Sequence, residues 1–222
     1  MKFSPSLMCM DALDIRNGIL SIDKKADLYH VDIMDGHFVP NLAMCPSQVA
    51  AIHSISRVPI DCHLMVDRPQ DYVDILIKAG ATYICPHAET LGGQAFRLIS
   101  KIKEGGCKAG VVLNPETPLS AIQHYLSQID MLTIMTVDPG FAAQPFIWEM
   151  IEKIREAKAL REKYGLNFLI QSDGGCNEAT YKALTEAGTD AMVMGSTSLF
   201  GKSQDLSEAW DKMVQAYQKA IQ

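Results

Sequence analysis

Two histidines and two aspartates in this 222-residue chain have the types and spacing of a metal centre. Successive side chains of a strand point to opposite faces, so polar residues at one parity are informative. In the stretch LYHVDIMD at 28–35, Leu28, His30, Asp32 and Met34 share a face, and Tyr29, Val31 and Ile33 take the other. The same rule groups Asp61, His63 and Met65 within IDCHLM, and Gln171 with Asp173 within LIQSD. Ser4 pairs with Ser6 near the start, and Tyr83, Cys85 and His87 share a face further on. Inward polar groups at strand ends are unfavourable unless hydrogen-bonded, paired or bound to metal. Taken singly, an inward histidine reads as a hydrogen-bonded core residue, and a strand-closing aspartate as a cap for the next helix. Together, His30, Asp32, His63 and Asp173 supply two nitrogens and two oxygens from three strands, a set suited to a divalent cation.

A second group of residues suits an anion. Asp173-Gly174-Gly175-Cys176-Asn177 follows one strand and Gly195-Ser196 follows the next. Glycine lets backbone amides approach an anion closely, and a helix start presents unpaired N–H groups. Met34, Met65 and Met135 fall at or just past strand ends. They read either as flexible core filler or as a polarizable lining over a substrate.

The elements that must hold these residues alternate along the chain. Strands are expected at 3–7, 28–33, 59–65, 82–86, 108–113, 131–135, 167–172 and 191–194. Helical spacing marks 71–79, 94–104, 119–127, 148–163 and 178–187; Ile151, Ile154, Ala157 and Leu160 give one buried face. Pro69 and Pro118 sit at first-turn positions, and Gly80, Gly165 and Gly188 sit where helices should stop. Eight β-α repeats without a long linker predict one closed (β/α)8 barrel over residues 1–222, a TIM barrel; an open doubly wound sheet is the alternative. In such barrels, chemistry lies at the carboxyl ends of the strands, and the loops after strands seven and eight grip phosphate.

Composition narrows the partners. The net charge is −6 and the lysines and arginines form no cluster, which argues against nucleic acid or an anionic membrane as partner. The start carries no signal-peptide pattern, and charges interrupt every apolar run before it reaches membrane-spanning length. The six cysteines form no C-x-x-C pair, so reduced thiols in a cytoplasmic protein are expected.

These residues lie in motifs that resemble the ribulose-phosphate 3-epimerase family. The matching strings are SPSLM at 4–8, HVDIMDGHFVPN at 30–41, DCHLMV at 61–66, HAET at 87–90, LNPETP at 113–118, MTVDPGF at 135–141, QPF at 144–146, SDGG at 172–175 and GSTSLF at 195–200. They run in order along almost the whole chain. The resemblance implies a ribulose-phosphate-binding barrel with one divalent ion per subunit, zinc, iron, manganese or cobalt. It places the metal ligands on His30, Asp32, His63 and Asp173, and the proton-transferring acid and base on Asp32 and Asp173. It further implies substrate contacts at Ser6, Met34, Met65 and Met135, phosphate contacts at Gly140, Gly175, Gly195 and Ser196, and a homo-oligomer, dimer or hexamer.

Within the family the chain looks closest to the D-allulose-6-phosphate 3-epimerase branch, through SLMCMD at 6–11, MVDRPQDY at 65–72, GQAFRLI at 93–99 and QPFI at 144–147. The resemblance therefore implies epimerisation at C3 between allulose 6-phosphate and fructose 6-phosphate, with D-ribulose 5-phosphate to D-xylulose 5-phosphate as the alternative. Ala142 and Ala143 stand where ribulose-phosphate enzymes more often carry a glycine pair and the allulose-phosphate branch a single alanine, and the extra methyl group should stiffen or narrow that loop. Two further readings are weighed. A phosphate-binding barrel decarboxylase would need a lysine where Met34 stands. A non-catalytic sugar-phosphate sensor would keep the fold and the phosphate grip without the chemistry.

Overall fold

A computed structural model describes residues 1–222. Eight parallel strands form one sheet in the order β1-β8-β7-β6-β5-β4-β3-β2. They are β1 (Lys2–Pro5), β2 (Tyr29–Met34), β3 (Ile60–Met65), β4 (Tyr83–Pro86), β5 (Lys108–Leu113), β6 (Met131–Met135), β7 (Leu169–Asp173) and β8 (Ala191–Met194). The ends of the sheet meet: a parallel bridge joins Ser6 to His30, and the Asp27 amide donates to the Phe3 carbonyl at 3.2 Å. The result is a closed (β/α)8 barrel, and the open-sheet alternative is set aside.

Seven α-helices surround the barrel: α1 (Ile15–Ile22), α2 (Pro46–Ile55), α3 (Val73–Ala79), α4 (Ala95–Glu104), α5 (Met150–Lys163), α6 (Tyr181–Ala187) and α7 (Leu206–Ala220). The helix expected at 119–127 is not one. Two 3-10 turns, Leu119–Ile122 and Leu126–Gln128, make that crossover. Buried Leu119, Ile122 and Tyr125 recur every three residues, which fits the 3.0-residue turn better than the 3.6-residue one. The stop signals held: α3 and α6 end on left-handed Gly80 and Gly188, and Gly165 has φ 59° just past α5.

Apolar burial is concentrated between sheet and helices, where Val31, Ile33, Leu64, Ile84, Ile134 and Ile170 meet residues such as Ile19, Val49, Leu76, Ile102 and Ile154. A smaller apolar cluster, including Leu28, Tyr83, Cys85, Val112, Met131 and Ala191, fills the lower barrel interior. Above it the interior turns polar, with Ser4, Asp61, Thr133 and Gln171 fully buried or nearly so. Room for that layer depends on Gly110, where a β-carbon would lie 2.2 Å from Cys85 Sγ. No helix is long and apolar enough to cross a membrane, and all six cysteines are free thiols.

Candidate active site

Strand register builds the site. In the β2–β3 pair His30 lies beside Asp61, Asp32 beside His63, and Met34 beside Met65; in β6–β7 Met135 lies beside Asp173. On β2 and β3 the methionines therefore lie one layer nearer the barrel mouth than Asp32 and His63, while on β7 Asp173 stands level with Met135. Parity is obeyed: Tyr29, Val31 and Ile33 join the outer core, while His30 and Asp32 point inward.

One ligand atom from each of His30, Asp32, His63 and Asp173 lies within 4.8 Å of all the others. His30 Nε2 is 3.3 Å from Asp32 Oδ1 and 3.4 Å from Asp173 Oδ2, and His63 Nδ1 is 3.3 Å from each of the same oxygens. These four separations match edges of about 3.3–3.4 Å in a tetrahedron with metal–ligand bonds of about 2.0–2.1 Å, and the remaining two pairs lie within 4.8 Å. Both nitrogens are buried and have no hydrogen-bond partner, and such atoms are rarely left alone in a folded protein. The donor set thus fits a small divalent cation.

The surrounding electrostatics agree. Burial alone would push the His30 imidazole down, but Asp32, Asp61 and Asp173 outweigh it and hold its pKa well above the ordinary value. His63 is raised too, since Asp173 and Asp32 overcome its burial. Burial opposes charge on Asp32 and Asp173, yet His30 and His63 keep both carboxyls below the usual range. A negative field that retains protons on imidazoles also attracts a cation, with which those protons compete.

Neighbours fix the Asp32 and His30 side chains and the backbone of Asp173. Ser6 Oγ donates to Asp32 Oδ2 at 2.7 Å, leaving Oδ1 toward the centre. The Thr136 amide and hydroxyl both donate to the Asp173 carbonyl, at 2.8 and 2.9 Å, and anchor the end of β7. His30 Nδ1 donates to Asp61 Oδ2 at 2.8 Å, and that oxygen also accepts from Gln171 Nε2 at 2.7 Å. Asp35 accepts from the His37, Phe38 and Asp67 amides, so it ties together the loops after β2 and β3.

A cavity of about 590 Å³, measured to include its opening to solvent, lies over this centre. Of the twelve residues expected in the site, eleven line it: Ser6, Asp32, Met34, His63, Met65, Met135, Gly140, Asp173, Gly175, Gly195 and Ser196. His30 lies beneath them, 1% exposed. Gly140 has φ 111°, and a β-carbon there would lie 2.9 Å from Val39 Cβ; Asn41 Nδ2 donates to its carbonyl at 2.8 Å. The loop after β2 therefore clamps the loop after β6. In that second loop, Gln144 Nε2 donates to the Asp138 and Phe141 carbonyls, and Ala143 has φ 60°, a left-handed conformation unusual for alanine. Ser196 opens a single π turn, Ser196–Phe200.

Sequence reasoning assigned no role to several residues of this neighbourhood. Asp61, Gln171 and His87 were placed on inward faces by parity, but nothing in the sequence showed whom they would touch. Cys9 and Cys176 line the cavity too, although the strings that contain them gave neither a role.

Comparison with known proteins gives the family. The model of the ribulose-phosphate 3 epimerase family matches residues 2–200. The chain is 41% identical to the ribulose-phosphate 3-epimerase of Bacillus subtilis, covering 91% of this chain and 93% of that one. It is 39% identical to the chloroplastic ribulose-5-phosphate-3-epimerase of Arabidopsis thaliana, with 93% and 73% covered. It is 37% identical to the Rhodobacter capsulatus ribulose-phosphate 3-epimerase, with 100% and 96% covered. Among solved structures, a mutant tryptophan synthase α-subunit from Pyrococcus furiosus superposes with a TM-score of 0.70 at 15% identity over 98% of both chains, a likeness of fold alone. With His30, Asp32, His63 and Asp173 gathered at the mouth of the barrel, the chain belongs to the ribulose-phosphate 3-epimerase family.

Proposed function

We propose that this chain, an isomerase of the epimerase class, interconverts D-ribulose 5-phosphate and D-xylulose 5-phosphate by inverting C3. The observation that carries the reaction type is the pair of inward carboxylates, Asp32 and Asp173, within reach of one another beneath the cavity. Inversion at a carbon next to a ketone requires proton removal on one face and return on the other. Asp32 rises from β2 and Asp173 from β7, with β1 and β8 between them in the ring of strands, so they approach the centre from different directions. One carboxylate takes the C3 proton while the other, protonated, returns one to the opposite face; the roles exchange in the reverse reaction. Ser6 keeps Asp32 oriented. His30, Asp32, His63 and Asp173 would hold a divalent cation, which would supply Lewis-acid charge to the reaction.

Met34, Met65 and Met135 form a soft ceiling and wall for the planar carbon skeleton. Gly140, Gly175, Gly195 and Ser196 grip the phosphate, holding the sugar while its far end reacts. The family resemblance further implies that the subunits associate as a homo-oligomer.

Ribulose 5-phosphate is preferred because the relatives at 37–41% identity are named ribulose-phosphate 3-epimerases, one of them specifically a ribulose-5-phosphate-3-epimerase. Allulose 6-phosphate is the second reading, favoured by the strings at 6–11, 65–72 and 93–99. Measuring kcat/KM for both substrates on one metal-loaded sample tests the assignment. A value at least about tenfold higher for ribulose 5-phosphate is expected, corresponding to about 1.4 kcal/mol of transition-state preference. The reverse ratio transfers the assignment to allulose 6-phosphate. Sugar-phosphate binding without deuterium uptake from solvent at C3 makes the chain a sensor.

A further inference from the structure

The two histidines present different nitrogens to the centre, Nε2 from His30 and Nδ1 from His63. Each remote nitrogen then faces inward protein, and the two are treated differently. His30 Nδ1 meets a carboxylate directly, at Asp61. His63 Nε2 meets another imidazole, His87 Nε2, at 2.8 Å, and His87 Nδ1, which makes no hydrogen bond, faces Glu89 Oε2 at an ion-pair distance of 3.4 Å. His87 is fully buried at the end of β4, with the Phe38 ring 4.5 Å away on another side. Glu89 is anchored by the Asn114 amide, which donates to its other oxygen at 3.0 Å.

Two neutral imidazoles joined through nitrogen share one proton between them, so their tautomers are linked. Either His63 donates and His87 accepts, or the reverse. Both ends of this chain select the same answer. A cation at His63 Nδ1 requires a lone pair there, which puts the proton on Nε2. A carboxylate facing His87 Nδ1 favours a proton there, which leaves His87 Nε2 free to accept. We propose that His87 and Glu89 are positioning residues for the cation centre, holding the His63 proton on Nε2 so that Nδ1 is presented unprotonated to the ion. A remote partner that fixes a ligand's tautomer typically contributes 10–100-fold in metal affinity. The proposal rests on the metal-centre reading above.

The test uses the full chain, zinc alone as probe, and histidine labelled with 15N. In zinc-loaded native protein, long-range 1H–15N correlation should show His87 protonated on Nδ1 and bare on Nε2, with N–N coupling to His63 Nε2 across the hydrogen bond. Competition against a chelator should show zinc affinity falling about 10–100-fold in His87→Ala and about tenfold in Glu89→Gln. His87→Gln, whose amide oxygen can accept from His63 Nε2–H, should recover most of the loss. A purely structural role would lower the melting temperature of the zinc-free variants without this order of affinities. His87 protonated on Nε2 in the native protein, or Glu89→Gln and His87→Gln both binding zinc like a non-accepting His87→Leu, would overturn the proposal even if His87→Ala fails to fold. Native protein that takes up no zinc would remove the metal centre itself, and this inference with it.

Discussion

At the scale of single residues, the site separates groups by what faces them. Asp32 and Asp173 face imidazoles and the cavity, so they are the groups whose loss should stop the reaction. Asp32→Asn and Asp173→Asn should each reduce kcat by at least about 10³-fold, because amides cannot exchange the C3 proton. Circular dichroism should remain native, and near-normal turnover in either variant would rule out the two-carboxylate scheme. His87 offers a different readout. Burial pushes its imidazole down to about 4, from 6.5, so the folded protein keeps it neutral where the unfolded chain would protonate it. Unfolded chains therefore bind the extra proton between those values, and this group's stabilisation is complete above pH 6.5 and falls away toward pH 4. Relative to His87→Gln, the native protein should lose about 3 kcal/mol more across that window. Denaturant titrations of the zinc-free proteins at several pH values would measure the difference. A parallel pH dependence in the two proteins would show that the imidazole is not held neutral.

At the scale of elements, the barrel interior works because strand register stacks side chains of complementary size. Gly110 on β5 is the clearest case, since Cys85 on β4 occupies the space its side chain would need. Gly110→Ala should destabilise the protein by about 1–3 kcal/mol, the usual range for overpacking. Adding Cys85→Ala removes Sγ and should recover part of that loss, since the nearest remaining atom, Cys85 Cβ, is 3.1 Å away. Chemical denaturation of the single and double variants checks this, and additive losses would contradict it. Period-two patterns made the strands and the inward histidines and aspartates readable from sequence, because a strand face needs no knowledge of its partner. The 119–127 crossover was misread because Leu119, Ile122 and Leu126 satisfy a helical pattern as well as two tight turns. His87 and Glu89 were hidden for another reason. Their roles depend on which nitrogen of His63 faces the centre, and that follows from the packing of three strands.

At the scale of the whole molecule, a fold shared with tryptophan synthase α-subunit at 15% identity sets where chemistry can occur, not which chemistry. What this chain adds is a cross-link through the barrel. The four ligands come from the neighbouring strands β2 and β3 and from β7, which lies across the ring from β3. A cation bound by all four would bind the folded chain only, because the unfolded chain scatters its ligands across more than half the sequence. Binding should then stabilise the fold by mass action, by about 2.7 kcal/mol at a free concentration 100 times Kd. For a domain of this length, that corresponds to a rise in Tm of about 5–10 °C over chelator-treated protein. Protons compete for the same nitrogens: His30 is raised well above its ordinary pKa by Asp32, Asp61 and Asp173 despite its burial, and His63 is raised by Asp173 and Asp32 despite its own. The cation must displace those protons, so the rise in Tm at fixed free zinc should shrink as pH is lowered from about 8 to about 6. Scanning calorimetry in metal-buffered solution would follow both effects. An increase in Tm that is independent of pH, or that survives in Asp173→Asn, would place the bound ion somewhere other than between these four side chains.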